Sequence, residues 1–365
     1  MLMHKELFPV IEAAGSPYEI GVKHGSLGKV QIDATMNTYK SMFKDYSQIE
    51  WEDAKRYALT FIPTITEYDP TIMEEIQGIA DGSGYELADI LALNVRSEIV
   101  LQGSQVSSAN SDGCTSFAFT PRVTVDRSTW VGQNWDWKLT QQKGCIILHI
   151  KQQDKPNITM VTEAGIVGKI GFNSAGIGVG LNALASSQKV AGKVVPLHIA
   201  LRGILNSFTL SDAINAVGRM NLSCCANFMM ASAEGQAVSV EVGPGDIDVL
   251  YANEGWVTHT NHFVGPRMVN VKDTGRIYLP DSYLRLGRIH DIIKMHDGKI
   301  GLKDIQDILK DHVGYPDSIC RHEDALEPEG KRLGTVFSII MNLDREEMYF
   351  APGTPCNCSY HLYKI

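Results

Sequence analysis

The sequence is short of positive charge, lacks long apolar runs and has no regularly spaced cysteines, and each of these features argues against a class of protein. Its 33 lysines and arginines are outnumbered by 42 aspartates and glutamates, which gives a formal net charge of -9. Without a basic stripe to neutralise phosphates, we expect no nucleic-acid partner. Glu12, Gly15 and Pro17 interrupt the apolar residues near the start. No apolar stretch reaches the roughly eighteen residues of a membrane span, so we expect neither a span nor a secretion leader.

Cysteine usage argues against both a disulfide framework and a metal centre. The seven cysteines are odd in number and irregularly spaced, which favours reduced thiols in a reducing compartment. Short groups of possible ligands occur in "HTNH" (259–262), "CRH" (320–322) and "CNC" (356–358), but none forms a paired C-x-x-C set. We therefore expect no metal and no resident cofactor.

A glycine-rich segment, "AGIGVG" at residues 175–180, resembles a nucleotide-binding turn. It lacks the third glycine of the dinucleotide fingerprint and has no acidic residue at the expected distance after a clear helix. We reject a Rossmann fold on these grounds.

The pattern of apolar residues changes at Cys114. Residues 1–102 read as almost wholly helical, and a capping box at Ser16 and Glu19, with Pro17 between them, predicts the first clear helix start. From Cys114 onward, short runs rich in Val, Ile, Phe and Thr predict strands. Helical patterns return between them, and "TVFSIIMNLD" followed by "EMYFAPG" predicts a closing hairpin. Sheets covered by helices predict a layered α+β sandwich.

The loop "GSQVSSANSDG", residues 103–113, is the most linker-like stretch of the chain. Its small polar residues tolerate cutting. The helical part alone would leave its apolar faces uncovered, so we predict one domain interrupted by a processing site. The expected products are a helical subunit 1–113 and a β-rich catalytic subunit 114–365.

The dipeptide Gly113-Cys114 supplies a chemistry for that cut. Attack of the thiol on the preceding carbonyl gives a thioester, and hydrolysis then frees an α-amino group on Cys114. Glycine permits the close approach that the attack requires. A free α-amine, with a pKa of about 7.7–8.0, can act as base toward its own side chain. The alternatives are an inert buried cysteine and a papain-like pair with one of eleven histidines, although no papain-like signature surrounds Cys114 or Cys145.

Blocks spread along the chain carry a family resemblance. They are "DGCTSF" at 112–117, "GQNWDW" at 132–137, "TEAGIVGKIGFNSAGIGVGLNAL" at 162–184, "VTHTNH" at 257–262 and "YPDSICR" at 315–321. Together they resemble the isopenicillin N acyltransferases, also called acyl-coenzyme A:6-aminopenicillanic acid acyltransferases, of the N-terminal-nucleophile hydrolase superfamily. The resemblance implies a four-layer αββα sandwich, a self-cleaving precursor and acyl transfer between an amide or thioester and an amine.

The same resemblance implies the site residues. Cys114 matches the nucleophile, Asp136 the aspartate beside its amine, Asn261 the oxyanion-hole donor and Arg321 the supporting arginine. Asp136 and Arg321 are expected to pair, since a guanidinium presents a planar fork to a carboxylate. Judged without the family, Asp136 and Arg321 would be surface groups and Asn261 a turn residue.

The implied function is acyl transfer from acyl-coenzyme A to 6-aminopenicillanic acid, or exchange of the isopenicillin N side chain, through a Cys114 thioester. Acyl-coenzyme A is a co-substrate and the cleaved fragment the only protein partner expected. The alternatives are an N-acyl amide hydrolase with another substrate and a binding protein that no longer processes. The sequence departs from the family pattern at two places. Trp137 stands where the family often has Phe, which predicts an acyl pocket of different shape. The ending "YHLYKI" lacks a peroxisomal tripeptide, so we expect a cytoplasmic protein.

Overall fold

The computed structural model describes residues 8–101, 113–188, 190, 192–296, 298–328 and 332–364. Residues 102–112, which include most of the predicted processing loop, lie outside the described residues, and Gly113 and Cys114 lie inside them. The α-helices are α1 Pro17–Leu27, α2 Lys29–Ser47, α3 Trp51–Leu59, α4 Ile62–Tyr68, α5 Pro70–Ser83, α6 Leu87–Asn94, α7 Arg96–Leu101, α8 Leu197–Leu205, α9 Leu210–Gly218, α10 Gly275–Tyr278, α11 Asp281–Met295 and α12 Leu302–Leu309.

The strands lie before the first helix and in the part of the chain after Gly113. They are β1 Val10–Gly15, β2 Thr115–Phe119, β3 Trp130–Trp137, β4 Cys145–Gln152, β5 Ile158–Glu163, β6 Ile170–Asn173, β7 Ile177–Ala183, β8 Val194–Val195, β9 Asn221–Leu222, β10 Ala226–Ser232, β11 Gln236–Gly243, β12 Asp246–Tyr251, β13 Trp256–His259, β14 Gly334–Asn342, β15 Glu347–Ala351 and β16 His361–Lys364. Short 3-10 helices lie at Leu139–Gly144 and Pro266–Asn270.

The first helix begins as the sequence predicts. Ser16 Oγ accepts a hydrogen bond from the Glu19 amide at 3.3 Å, and Glu19 Oε2 accepts one from the Ser16 amide at 2.8 Å, so the capping box is confirmed. Strand β1 is the exception to the helical reading of residues 1–102, because it pairs in parallel with β4. That pairing ties the first residues of the chain to a strand lying beyond the processing site.

Two sheets form the centre of the molecule. One has the strand order β1-β4-β5-β6-β7-β10-β11-β12 and the other the order β13-β2-β3-β14-β15-β16. Their facing sides meet where β2 and β3 contact β7 and β10. The hairpin of β14 and β15 is antiparallel, as the sequence predicts.

Helices cover both outer faces. On the first sheet, α1 and α2 contact β4, while α8 contacts β6 and β7. On the second sheet, α11 and α12 bury their apolar faces against aromatic side chains of β2 and β3, including Phe117, Phe119 and Trp130. The expected four-layer αββα sandwich is therefore confirmed.

The predicted processing site sits at the middle of this architecture. Strand β2 lies between β13 and β3 in the second sheet, and its register pairs Thr115 with Asn134. Continuing that register by two residues places Asp136 opposite Gly113. Among the residues that the structure describes, no helix combines the length and the apolar character needed to cross a membrane.

Candidate active site

Cys114 immediately precedes β2 and is fully buried. Its carbonyl oxygen accepts hydrogen bonds from Asn182 Nδ2 at 3.1 Å and from Arg285 Nη1 at 2.8 Å. Arg285 Nη1 also donates to Thr115 Oγ1 at 3.0 Å. Two side-chain donors therefore hold the backbone carbonyl at the point where the predicted new terminus would arise.

Asn182, on β7, is oriented by its own neighbours. Its Oδ1 accepts hydrogen bonds from Ser116 Oγ at 2.6 Å and from Asn227 Nδ2 at 3.0 Å. Because both of these groups donate to Oδ1, the amide nitrogen of Asn182 is the end that faces Cys114. The first sheet thus supplies one donor to the site in the second.

Asn261 follows β13 and is buried beside the same arginine. Its Oδ1 accepts a hydrogen bond from Arg285 Nη2 at 3.0 Å, and its Nδ2 donates to the Ala183 carbonyl at 3.1 Å. An amide nitrogen carries two hydrogens. Among the described contacts the Ala183 carbonyl uses one hydrogen of Asn261 Nδ2, so the other is available to donate to a substrate oxygen. Arg285 therefore joins the predicted nucleophile and the predicted oxyanion donor in one network.

The expected pair of Asp136 and Arg321 is present. Arg321 Nε lies 3.5 Å from Asp136 Oδ2, and Asp136 Oδ1 accepts a hydrogen bond from Thr335 Oγ1 at 2.6 Å. Asp136 is fully buried and Arg321 is 4% exposed. Both residues are core groups, which contradicts the surface reading that each would have without the family.

Arg321 is surrounded by carboxylates. Besides Asp136, its guanidinium forms ion pairs with Asp281 and Asp317. Burial disfavours the charge of Arg321, but Asp281, Asp136 and Asp317 outweigh that cost and raise its pKa. Burial likewise opposes the charge of Asp281, whose pKa is nevertheless lowered by Arg285 and Arg321. Asp136, Arg321, Asp281 and Arg285 therefore alternate in charge through the protein interior, and the half-exposed Asp317 lies at its edge.

Gly113 packs directly against these charged residues. A Cβ built on Gly113 would lie 2.5 Å from Arg321 Nε and 3.0 Å from its Cζ. Because the arginine is held by carboxylates, it has little freedom to move away. Glycine at this position is thus required by the close approach of Arg321 to the predicted scissile peptide.

Sequence reasoning missed several members of the network, namely Arg285, Asp281, Asn182 and Thr335. Arg285 and Asp281 lie four residues apart on α11, with Arg285 Nε 2.8 Å from Asp281 Oδ2. In the sequence that spacing is typical of an exposed helical ion pair. Only the fold shows that Arg285 is fully buried.

Several other thiols are poorly suited to nucleophilic attack. Burial raises the pKa of Cys145 well above its usual value and that of Cys225 to about 12. Contacts between cysteine and histidine do occur, but at His322 with Cys320 and Cys356, and burial also raises the pKa of the Cys320 thiol. The raised pKa values of Cys145, Cys225 and Cys320 disfavour their thiolates, which makes these three cysteines weaker candidates for the nucleophile.

The histidines of "HTNH" have other partners. His259 Nε2 lies 2.7 Å from Glu241 Oε1, and His262 Nδ1 lies 2.7 Å from Ser282 Oγ. Burial lowers the pKa of His262 to about 4, so its ring is neutral at working pH. These rings pack around Asn261 rather than converging as metal ligands.

Trp137 lies on the opposite face of β3 from Asp136. It is 2% exposed, stacks on Trp135 at 6.3 Å, and its ring centroid is 5.1 Å from the Arg96 guanidinium.

A separate cavity of about 220 Å³ reaches the site from the side of Asp281 and Arg321. Its remaining lining includes Asp317, Asp324 and Arg332, and it is therefore strongly polar.

Comparison with known proteins decides the family. Residues 123–356 match the family described as acyl-coenzyme A:6-aminopenicillanic acid acyl-transferase. The chain belongs to this acyltransferase family. It is also 31% identical over 354 residues to the 40 kDa form of acyl-coenzyme A:6-aminopenicillanic-acid-acyltransferase of Emericella nidulans, with 95% of this chain and 93% of the relative covered. The resemblance found in the sequence is confirmed, and the protein is an acyltransferase.

Solved structures also show similarity to this acyltransferase. A mutant conjugated bile acid hydrolase from Clostridium perfringens aligns with a TM-score of 0.48 and 16% identity, covering 69% of this chain and 92% of that one. Penicillin V acylase from Agrobacterium tumefaciens aligns with a TM-score of 0.43 and 12% identity, covering 66% of this chain and 83% of that one.

Proposed function

We propose that the protein cuts itself between Gly113 and Cys114 and then carries acyl groups as a thioester on Cys114. The observation that supports this most strongly is the packing of the dipeptide between two buried arginines. Arg321 lies against Gly113, and Arg285 donates to the Cys114 carbonyl. An inert structural cysteine has no need of such an environment.

Self-cleavage begins with attack of Cys114 Sγ on the carbonyl carbon of Gly113. The S–C bond forms, the C–N bond breaks, and the thiol proton passes to the departing nitrogen. Water then hydrolyses the thioester, which leaves a carboxylate on Gly113 and a free amine on Cys114. The balance requires only one water molecule.

Acyl transfer uses the new amine as base. The amine accepts the proton of Cys114 Sγ, sulfur attacks the acyl carbonyl, and the coenzyme A thiol leaves with a proton. An amine acceptor next attacks the acyl thioester and regenerates the Cys114 thiol. The remaining N–H of Asn261 supports a role as oxyanion donor, and the pair of Asp136 and Arg321 supports a role in holding the charged terminus.

The name of the Emericella relative supplies the substrates that we propose here. Its donor is an acyl-coenzyme A and its acceptor 6-aminopenicillanic acid. Exchange of the isopenicillin N side chain needs an earlier round, in which Cys114 attacks the side-chain amide, 6-aminopenicillanic acid leaves as the amine, and water hydrolyses the resulting thioester. Acyl-coenzyme A then donates the new side chain by the route given above. The proton transfers in these steps use only groups of the chain, the substrates and water, so the proposed chemistry calls for no resident cofactor.

The two products of self-cleavage should remain together. The main core cluster contains residues from both sides of the cut, including Ile20 and Phe43 before it and Leu148 and Val161 after it. Separation would expose these side chains to water, and such exposure costs about 25 cal/mol per Å² of apolar surface. We therefore propose a heterodimer of subunits 1–113 and 114–365.

We propose that the protein resides in the cytosol, because reduced thiols persist in a reducing compartment. In the described residues Cys145, Cys224, Cys225, Cys320 and the exposed Cys356 form no disulfide. Imaging of a copy tagged near its start should show diffuse cytosolic signal, whereas concentration in organelles would contradict this placement.

The function is tested by turnover of acyl-coenzyme A with and without 6-aminopenicillanic acid. We expect amide product only with both substrates, none from Cys114→Ala, and normal product from Cys358→Ser. Release of coenzyme A and free acid at the same rate whether or not the acceptor is present would indicate a hydrolase. Turnover of N-acyl amides but not of acyl-coenzyme A would overturn the proposed donor.

A further inference from the structure

Four potential metal ligands meet away from the catalytic network, in what we name the four-ligand cluster: His312, Cys320, His322 and Cys356. Each offers one nitrogen or sulfur atom, and these atoms all lie within 4.8 Å of one another. We propose that the four-ligand cluster binds one zinc ion. This revises the expectation, drawn from spacing in the sequence, that the protein has no metal site.

The distances fit a tetrahedral ion. His312 Nε2 lies 3.1 Å from His322 Nε2, and the His322 nitrogen lies 3.4 Å from Cys356 Sγ and 3.8 Å from Cys320 Sγ. Zinc bonds of about 2.0–2.3 Å to nitrogen and sulfur hold neighbouring tetrahedral ligands roughly 3.3–3.8 Å apart. The side chains thus need only small adjustments to surround an ion.

The ligand chemistry points to zinc rather than to a hard cation. Two thiolates and two imidazoles form the set typical of structural zinc, whereas magnesium and calcium prefer oxygen ligands. Four protein ligands also complete a tetrahedral shell and leave no open position for a reacting water molecule. We therefore assign a structural rather than a catalytic role to the ion.

The ion would join two loops that are distant in the chain. His312, Cys320 and His322 lie between α12 and β14, while Cys356 lies between β15 and β16. The first loop carries Arg321, whose backbone amide donates to Thr335 Oγ1 at 3.1 Å. Zinc would attach this loop directly to the segment between β15 and β16.

The test measures zinc in the full chain purified under reducing conditions without a polyhistidine tag. It uses the Cys114→Ala background, so that metal content is independent of self-cleavage and the result does not depend on the proposed function. We expect one zinc per chain, its loss in Cys356→Ser and its retention in the matched control Cys358→Ser. Replacement by Co²⁺ should give the spectrum of a tetrahedral thiolate site, which Cys356→Ser should lack.

A second measurement uses the unaltered cluster in case a variant fails to fold. Cys356 is exposed, so a thiol reagent should label it readily unless a metal protects it. We expect labelling of Cys356 only after a chelator removes the metal. Failure of the reduced protein to retain added Zn²⁺ or Co²⁺, or equal retention by Cys356→Ser and Cys358→Ser, would overturn the proposal. A Cys320–Cys356 disulfide in protein that binds no metal once reduced would overturn it as well.

Discussion

Arg321 lies so close to Gly113 that a Cβ on the glycine would approach Arg321 Nε to 2.5 Å. Gly113→Ala should therefore displace either the arginine or the peptide to be cut, and self-cleavage should slow sharply or stop. The intact mass of the purified protein, followed over time after synthesis, measures this directly.

Gly287→Ala is the matched control for that substitution. A Cβ at Gly287, within α11, meets nothing within 4 Å, and alanine is favoured over glycine in a helix by about 1 kcal/mol. This variant should be cut at the normal rate. If the Gly113→Ala and Gly287→Ala variants were cleaved at equal rates, the claim that Arg321 requires a glycine at position 113 would be wrong.

Arg285 and Arg288 provide a second matched pair on α11. Arg285 is fully buried and reaches both Cys114 and Asn261, so Arg285→Met should prevent cleavage and cost about 3–5 kcal/mol of stability. Arg288 pairs with Asp311 and is partly exposed, so Arg288→Met should cost only about 0–1 kcal/mol. Denaturant unfolding and intact mass together separate the two outcomes, and similar behaviour of both variants would contradict the role of Arg285.

Asn261 is best tested by two substitutions that differ in what they keep. Asn261→Ala removes both amide functions, whereas Asn261→Asp keeps an acceptor for Arg285 and loses the donor. Loss of an oxyanion donor lowers kcat by about 10²–10³, so both variants should fall by that factor per processed molecule. The aspartate should be as poor or worse, because its charge would face the developing oxyanion.

Exposed Asn253 serves as the control for this pair, and Asn253→Ala should leave kcat unchanged. If Asn261→Asp kept more than about a third of the wild-type kcat, Asn261 would not be the oxyanion donor. Amino-terminal sequencing of the larger subunit must first confirm that the molecules compared are processed.

The sequence predicted most elements because their signals are local. The capping box at Ser16 and the short runs rich in Val, Ile, Phe and Thr that predict the strands depend on neighbouring residues alone. Strand β1 was not predicted because its partner, β4, lies 137 residues further along the chain, and no local pattern encodes such a pairing.

Some residues of the site were likewise predicted from the sequence and others were not. Cys114, Asp136, Asn261 and Arg321 were inferred from family blocks, and the fold brings them into one network. Arg285 and Asp281 were missed because an ion pair at helical spacing is usually exposed. The four-ligand cluster was missed because Cys356 lies more than thirty residues from its partners, without a C-x-x-C pair.

Stability should fall in acid from near neutral pH, partly through His24. Burial lowers the pKa of this ring to about 3, while the unfolded chain binds a proton near pH 6.5. Between these values the unfolded state binds more protons, so the free energy of unfolding rises with pH. One such group contributes at most about 1.4 kcal/mol per pH unit.

His24→Gln should reduce that slope, because glutamine does not titrate. In the wild type the Gly165 amide donates a hydrogen bond to His24 Nε2 at 3.0 Å, and the glutamine oxygen can accept the same bond. Urea unfolding between pH 4 and pH 7 measures the change. The same substitution at exposed His361 should leave the slope as it is, and an unchanged slope in His24→Gln would contradict the assignment.

The central claim is that Cys114 becomes the first residue of a separate subunit and then carries the acyl group. Denaturing mass spectrometry of the purified protein, before and after brief exposure to an acyl-coenzyme A, tests both parts at once. We predict two chains, the larger beginning at Cys114, and a gain of one acyl group on that residue, with Cys114→Ala remaining a single unmodified chain. A wild-type protein that turns over acyl-coenzyme A as one uncut chain, or that is acylated elsewhere than Cys114, would contradict the account.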